Sequence, residues 1–234
     1  MQLENFNISD SYLVRTSGTS DGTQDKYFKD NKWFKLDRYG NEGLAEYTAS
    51  QILKLSGIFS KDYVEYTPCL INGKPGCYST NFLSENESFI TLYRLYKNVT
   101  GRDLATVCSK MDYDDGIDYV INFVKEQTGV DIQEYLANTF ILDEIILNED
   151  RHFNNLGIIY NETDFRTAPI FDNGKSFLIG NKRGSAYAKI FSPNFSINSE
   201  YLSKYATLKI SKNVLEQLDD SIPENFKSII AKNL

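Results

Sequence analysis

The chain has 234 residues, enough to bury a sizeable core as one domain or two lobes. A net charge of −7 argues against a broad nucleic-acid surface, which needs clustered Lys and Arg, and 16 Tyr with 15 Phe argue against disorder. Cys69, Cys77 and Cys108 lack metal-ligand spacing, and with a single histidine they leave no basis for a Cys/His zinc site. There is no run of about 18 apolar residues and no basic segment leading into an apolar one at the start. The expected setting is therefore the reducing cytoplasm, without membrane insertion.

Residues 11–15, 26–29 and 32–36 predict three strands. The loop at 16–25 holds Gly18 and Gly22 among hydroxyls that include Ser17 and Ser20. Such a loop can turn backbone N–H groups towards phosphates, because glycine permits close approach and positive φ. Lys35 stands on the third strand among Trp33, Phe34 and Leu36, where a charge is costly without a partner. Glu46 follows eleven residues later, on a helix predicted over 43–55 by the stripe Ala45, Ala49, Ile52 and Leu53 and stopped by Gly57. Lys35 either snorkels at an edge or pairs with Glu46. Segments 63–66 and 68–71, the turn at 72–76 and a strand over 77–83 predict a further hairpin, which exits at Asn81, Phe82 and Leu83.

From Ser84 the pattern turns helical. A helix is expected to start over 89–96, capped by Ser84 or Asn86, with an amphipathic helix over 115–128 and a very apolar one over 131–147. The last of these runs into Asn148-Glu149-Asp150-Arg151-His152-Phe153-Asn154-Asn155. Apolar runs 156–160 and 168–171, joined by a polar turn at 161–164, predict a hairpin ending in Phe171-Asp172-Asn173-Gly174. A loop with Asp150 and Asn155 thus feeds a hairpin that closes at Asp172. Phosphoryl transfer uses this set. One carboxylate orients or deprotonates the attacking hydroxyl, while an amide and a second carboxylate hold magnesium on the phosphates. Residues 175–198 are mixed, with a basic run at 182–185, and helices are expected near 212–218 and over 223–234.

Asp150-Arg151-His152-Phe153-Asn154-Asn155, followed by Phe171-Asp172-Asn173-Gly174, resembles the catalytic and metal-binding loops of HipA-like kinases. These are bacterial serine/threonine kinases with a protein-kinase-like fold. Lipid kinases of the phosphatidylinositol group share the Asp-Arg-His-x-x-Asn form, and ordinary protein kinases keep the same interval from base to amide. The resemblance implies an α+β, bilobal fold: a small antiparallel β lobe with one helix at 1–83, and a larger, mostly helical lobe at 84–234.

It implies that Lys35, oriented by Glu46, holds the α- and β-phosphates of ATP. Asn155 and Asp172 would bind Mg2+, and Asp150 would accept or orient the hydroxyl proton. Gly18, Ser20 and Gly22 would lie over the phosphates, and Asn81, Phe82 and Leu83 would form the hinge against adenine. His152 either takes part in the site or braces the loop. The run Thr23-Gln24-Asp25-Lys26 is similar to a Gln-x-Lys element of the family, in which a serine of the preceding loop can be autophosphorylated. Ser17 and Ser20 are the candidates here. The implied activity is that of a protein serine/threonine kinase, with a small-molecule or lipid-headgroup kinase and a catalytically silent nucleotide-binding module as alternatives. The implied partners are ATP, a protein or small-molecule substrate and an antitoxin-like protein, although no partner-binding motif is readable. HipA-like chains often carry an extra N-terminal region, and this sequence begins almost at the small lobe.

Overall fold

A computed structural model describes residues 2–14, 24–179 and 200–234. Gly18, Ser20 and Gly22, with Ser17 and the basic run at 182–185, lie outside the described residues. The first strand is β1 (Asn5–Phe6). The strand expected over 11–15 is replaced by a 3-10 turn, Asp10–Tyr12, because the Ser9 hydroxyl accepts from the Ser11 N–H and caps the turn. Among the described residues of that segment, Leu13 and Val14 reach the sheet, through an isolated bridge from Leu13 to Tyr27 and a hydrogen bond from the Val14 N–H to the Lys26 carbonyl.

Strands β2 (Lys26–Lys29) and β3 (Lys32–Leu36) form a hairpin around Asp30 and Asn31, both at positive φ. That is the turn geometry matching strand twist, and Asp and Asn tolerate it. Helix α1 (Glu42–Leu55) is followed by the hairpin of β4 (Tyr66–Ile71) and β5 (Lys74–Thr80), turned by Asn72-Gly73. The sheet order is β1-β4-β5-β3-β2, antiparallel except that β1 runs parallel to β4. Gly43 and Gly76 let helix and sheet meet. A Cβ on Gly43 would lie 2.7 Å from the Gly76 carbonyl carbon, and one on Gly76 would collide with the Lys35 carbonyl oxygen of the neighbouring strand β3. This close approach brings Glu46 over Lys35.

The remainder is mostly helical: β6 (Ser88–Thr91), α2 (Leu92–Thr100), α3 (Leu104–Cys108), α4 (Tyr113–Thr128), α5 (Gln133–Ile146), β7 (Gly157–Tyr160), β8 (Phe165–Thr167), α6 (Glu200–Ser203), α7 (Val214–Gln217) and α8 (Glu224–Asn233). Two expectations change. Residues 88–91 are a strand paired with β7, and the helix starts only after Thr91, whose hydroxyl accepts from the Arg94 N–H. The partner of β7 is the polar segment β8, not 168–171. That apolar run leaves the ladder, and Ile170 bridges in parallel to Tyr63. One apolar core joins α4, α5 and α8, through residues such as Val120, Phe140 and Phe226, to Ile52 and Leu53 of α1. The helix of the strand-rich part is thereby anchored on the helical part. Among the described residues no helix is long and apolar enough to cross a membrane.

Candidate active site

A cleft of about 290 Å³ is lined by Lys35, Asn81, Phe82, Leu83, Asn155 and Asp172. The side of the cleft formed by Phe82, Leu83, Phe89 and Phe171 is apolar. Phe82, Phe89 and Phe171 pack with ring centroids 5.7–5.9 Å apart. The Asn81 side chain accepts from the Trp33 indole at 3.3 Å and donates to the Leu83 carbonyl at 3.3 Å, which ties residues 81–83 to β3. A larger hollow, about 440 Å³, lies near Asp62 and Glu134 and shares none of these residues.

The two motif loops meet through Arg151. It is fully buried, pairs with Asp143 of α5 through Nε and Nη2 at 2.8 and 2.9 Å, and donates to the carbonyls of Phe171 and Asn155 and to the Asn173 side chain. Asn148, at the end of α5, also donates to Asp143 and accepts from the Asp150 N–H, so the turn into the loop is tied to the same carboxylate. The Asn155 amide nitrogen donates to the Asp150 carbonyl at 2.9 Å. Asp150 itself meets the Lys175 ammonium at 3.2 Å.

The second cluster surrounds Lys35. Its ammonium contacts Glu46 at 2.5 Å and Asp172 at 2.8 Å, and donates to the Tyr66 hydroxyl at 3.4 Å. Burial alone would push the Lys35 ammonium down, but Asp172 and Glu46 outweigh it and hold its pKa well above the usual lysine value. Burial pushes the Glu46 carboxyl up against the pull of Lys35. For Asp172, burial acts upward, yet Lys35 and Lys26 hold the carboxyl far below the ordinary range. Asp172 sits at φ +62, a strained conformation for a non-glycine residue. The Asn173 N–H donates to Glu46 at 2.7 Å while the Asn173 side chain accepts from Arg151, so this residue links the two clusters.

No family model and no curated protein sequence matches the chain. Among solved structures, it matches the Helicobacter pylori proinflammatory kinase CtkA with a TM-score of 0.67 and 14% identity, over 99% of this chain and 92% of that one. The chain shares the overall fold of that kinase. The Shewanella oneidensis MR-1 toxin–antitoxin protein HipA, solved with HipB and operator DNA, gives 0.48 and 10% identity over 94% of this chain and 64% of that one. At such identities the likeness is one of fold.

Within this kinase-like fold, Lys35, Glu46, Asn155 and Asp172 are brought together, and Asp150 stands on the same loop as Asn155. The donor set suits a hard divalent cation, with the Asp172 carboxylate and the Asn155 amide oxygen on one cleft. Among the described residues no cluster of three or more His, Cys, Asp or Glu forms a cage. Magnesium held here would complete its shell with phosphate oxygens and water, as it does at other nucleotide sites.

Three contributors went unnoticed in the sequence, Asp143, Tyr66 and Lys175, and Lys26 entered only through the Gln-x-Lys run. Lys26 is the cross-strand partner of Lys35 and lines the cleft. The two-residue turn at Asp30-Asn31 already fixes that register, so this signal was readable. His152 has its Nδ1 buried without a hydrogen-bond partner, and burial lowers its pKa, leaving a neutral ring at pH 7.

Proposed function

We propose that the chain is a Mg2+-dependent, ATP-using phosphotransferase that acts on serine or threonine hydroxyls of a protein. The observation that carries this reading is the convergence of the Lys35–Glu46 pair, the Asp150–Asn155 loop and Asp172 on one cleft of a kinase-like fold. On this reading residues 1–83 form the nucleotide-binding lobe and 84–234 the catalytic lobe.

Lys35, oriented by Glu46, holds the α- and β-phosphates, and Lys26 adds a second cation on the same face. Phe82 and Phe171 flank the adenine, with the backbone of residues 81–83 as its polar edge. Asn155 and Asp172 hold magnesium, which when bound neutralises charge on the phosphates. Asp150 orients the substrate hydroxyl. The hydroxyl oxygen forms a bond to the γ-phosphorus, the bond from that phosphorus to the bridging oxygen breaks, and its electron pair leaves with ADP. The hydroxyl proton passes to Asp150. The His152 ring is neutral and half-buried, and the backbone carbonyl of this residue closes the loop by accepting from the Asn155 N–H at 2.8 Å. Ser17 and Ser20 are the proposed autophosphorylation positions.

The test is incubation with magnesium and γ-labelled ATP, beside D150A and D172A variants, with the label mapped by mass spectrometry. Label on serine or threonine that both variants abolish supports the reading. Turnover that labels only small molecules or lipid headgroups redirects the substrate class. A chain that neither binds ATP nor transfers its label overturns the proposal.

A further inference from the structure

We infer that Lys175 is the positioning residue for Asp150, holding the carboxylate in the orientation that receives the substrate hydroxyl. This deepens the kinase reading above and rests on it.

The Lys175 ammonium lies 3.2 Å from Asp150 Oδ2. Its backbone is pinned beside the loop it serves. The Glu149 N–H donates to the Lys175 carbonyl at 3.1 Å, and the Phe177 N–H donates to the Ile146 carbonyl at 2.7 Å. Residues 175–177 therefore run alongside 146–149, and the ion pair stands on a fixed frame.

Among the described residues, other cations near the two motif loops have different work. Lys35 is engaged by Glu46 and Asp172, and Arg151 by Asp143 and Asn173. His152, two residues after Asp150, is held neutral by burial. Lys175 thus brings positive charge to Asp150 from the far side of the metal-binding motif, three residues beyond Asp172.

A carboxylate has roughly four lone-pair sites, so one ammonium on Oδ2 fixes its plane and still permits it to accept a hydroxyl proton. Lys175 neither gains nor loses a proton in the transfer. Its side chain is 37% exposed and that of Asp150 24%, so the pair lies near the surface rather than in the core. A pair so placed contributes little to folding. Its effect belongs in turnover, where misplacement of a reacting group by about 1 Å costs on the order of 100-fold.

The experiment compares wild type, K175M and K175R with magnesium, γ-labelled ATP and dephosphorylated casein. It counts label passed to casein, to the chain itself or to water, and records ATP affinity and melting temperature. We expect K175M to lose about 10- to 100-fold in kcat, with KM for ATP within about threefold and unchanged melting. K175R, which keeps the charge, should stay within about threefold of wild type. K175M with wild-type kcat overturns the inference, as does K175M that loses ATP binding in step with turnover. A wild type that turns over no label overturns the kinase reading itself, which the first two results do not.

Discussion

Arg151 meets one carboxylate, and Lys35 meets two. Both cations are buried, and Asn173 connects them. Around Arg151 the charge is balanced by Asp143 in bidentate contact, and the remaining donors reach carbonyls and an amide. Around Lys35 two carboxylates, Glu46 and Asp172, contact one ammonium, and Asp172 opens onto the cleft. The first network is closed and can only hold loops in place. The second turns one carboxylate, Asp172, towards a cavity, which is what a site that recruits a metal ion requires. The same physics of buried pairs, with one carboxylate more, separates scaffold from chemistry.

Breaking the closed network should have the largest effect. R151M leaves Asp143 buried and unpaired, and is expected to cost about 3–5 kcal/mol of stability. Urea denaturation reads this directly, and a loss below about 1 kcal/mol would show that Arg151 is not the scaffold. The open network should respond the other way. D172N leaves Lys35 paired with Glu46, so its urea midpoint should move far less than that of R151M, while phosphoryl turnover falls at least about 100-fold. Equal loss of stability in the two variants would erase the distinction.

G43A tests how the open network is positioned. Its new Cβ meets the Gly76 backbone at 2.7 Å, so α1 must shift and carry Glu46 away from Lys35. Overpacking of this kind costs about 1–3 kcal/mol, and turnover should fall together with melting temperature.

The smallest effect is in pH. The folded pKa of His152 lies below its unfolded value, so between the two the unfolded chain binds the extra proton. Stability should therefore fall as pH drops from 7 to 5, and an H152N variant should flatten that segment. Asp172 acts at lower pH. Its folded pKa is depressed by Lys35 and Lys26 against burial, so its contribution is present above about pH 4 and is lost as pH falls further.

The open network was legible in the sequence because each part breaks a local pattern. Lys35 is a charge in an apolar strand, Glu46 sits near the start of an amphipathic helix, and Asp150, Asn155 and Asp172 keep motif spacing. The closed network was only half legible. Arg151 could be expected to pair with an acid or a carbonyl, but Asp143 is one polar residue in a helix so apolar that its face could not be assigned. Tyr66 was hidden for a similar reason, since a tyrosine in a strand usually reads as core. Residues 88–91 read as helix because their apolar content continued into α2, and only the Thr91 cap divides the two. At 11–15 the local Ser9 cap prevailed over strand alternation.

The most direct test of the account is a calorimetric titration of ATP into wild type and D172N, with and without magnesium. If the cleft-facing carboxylate of Asp172 makes the metal side of a nucleotide site, wild type binds ATP distinctly tighter with magnesium, and D172N loses that difference. Equal ATP affinity in wild type with and without the metal, or no binding in either case, would contradict it.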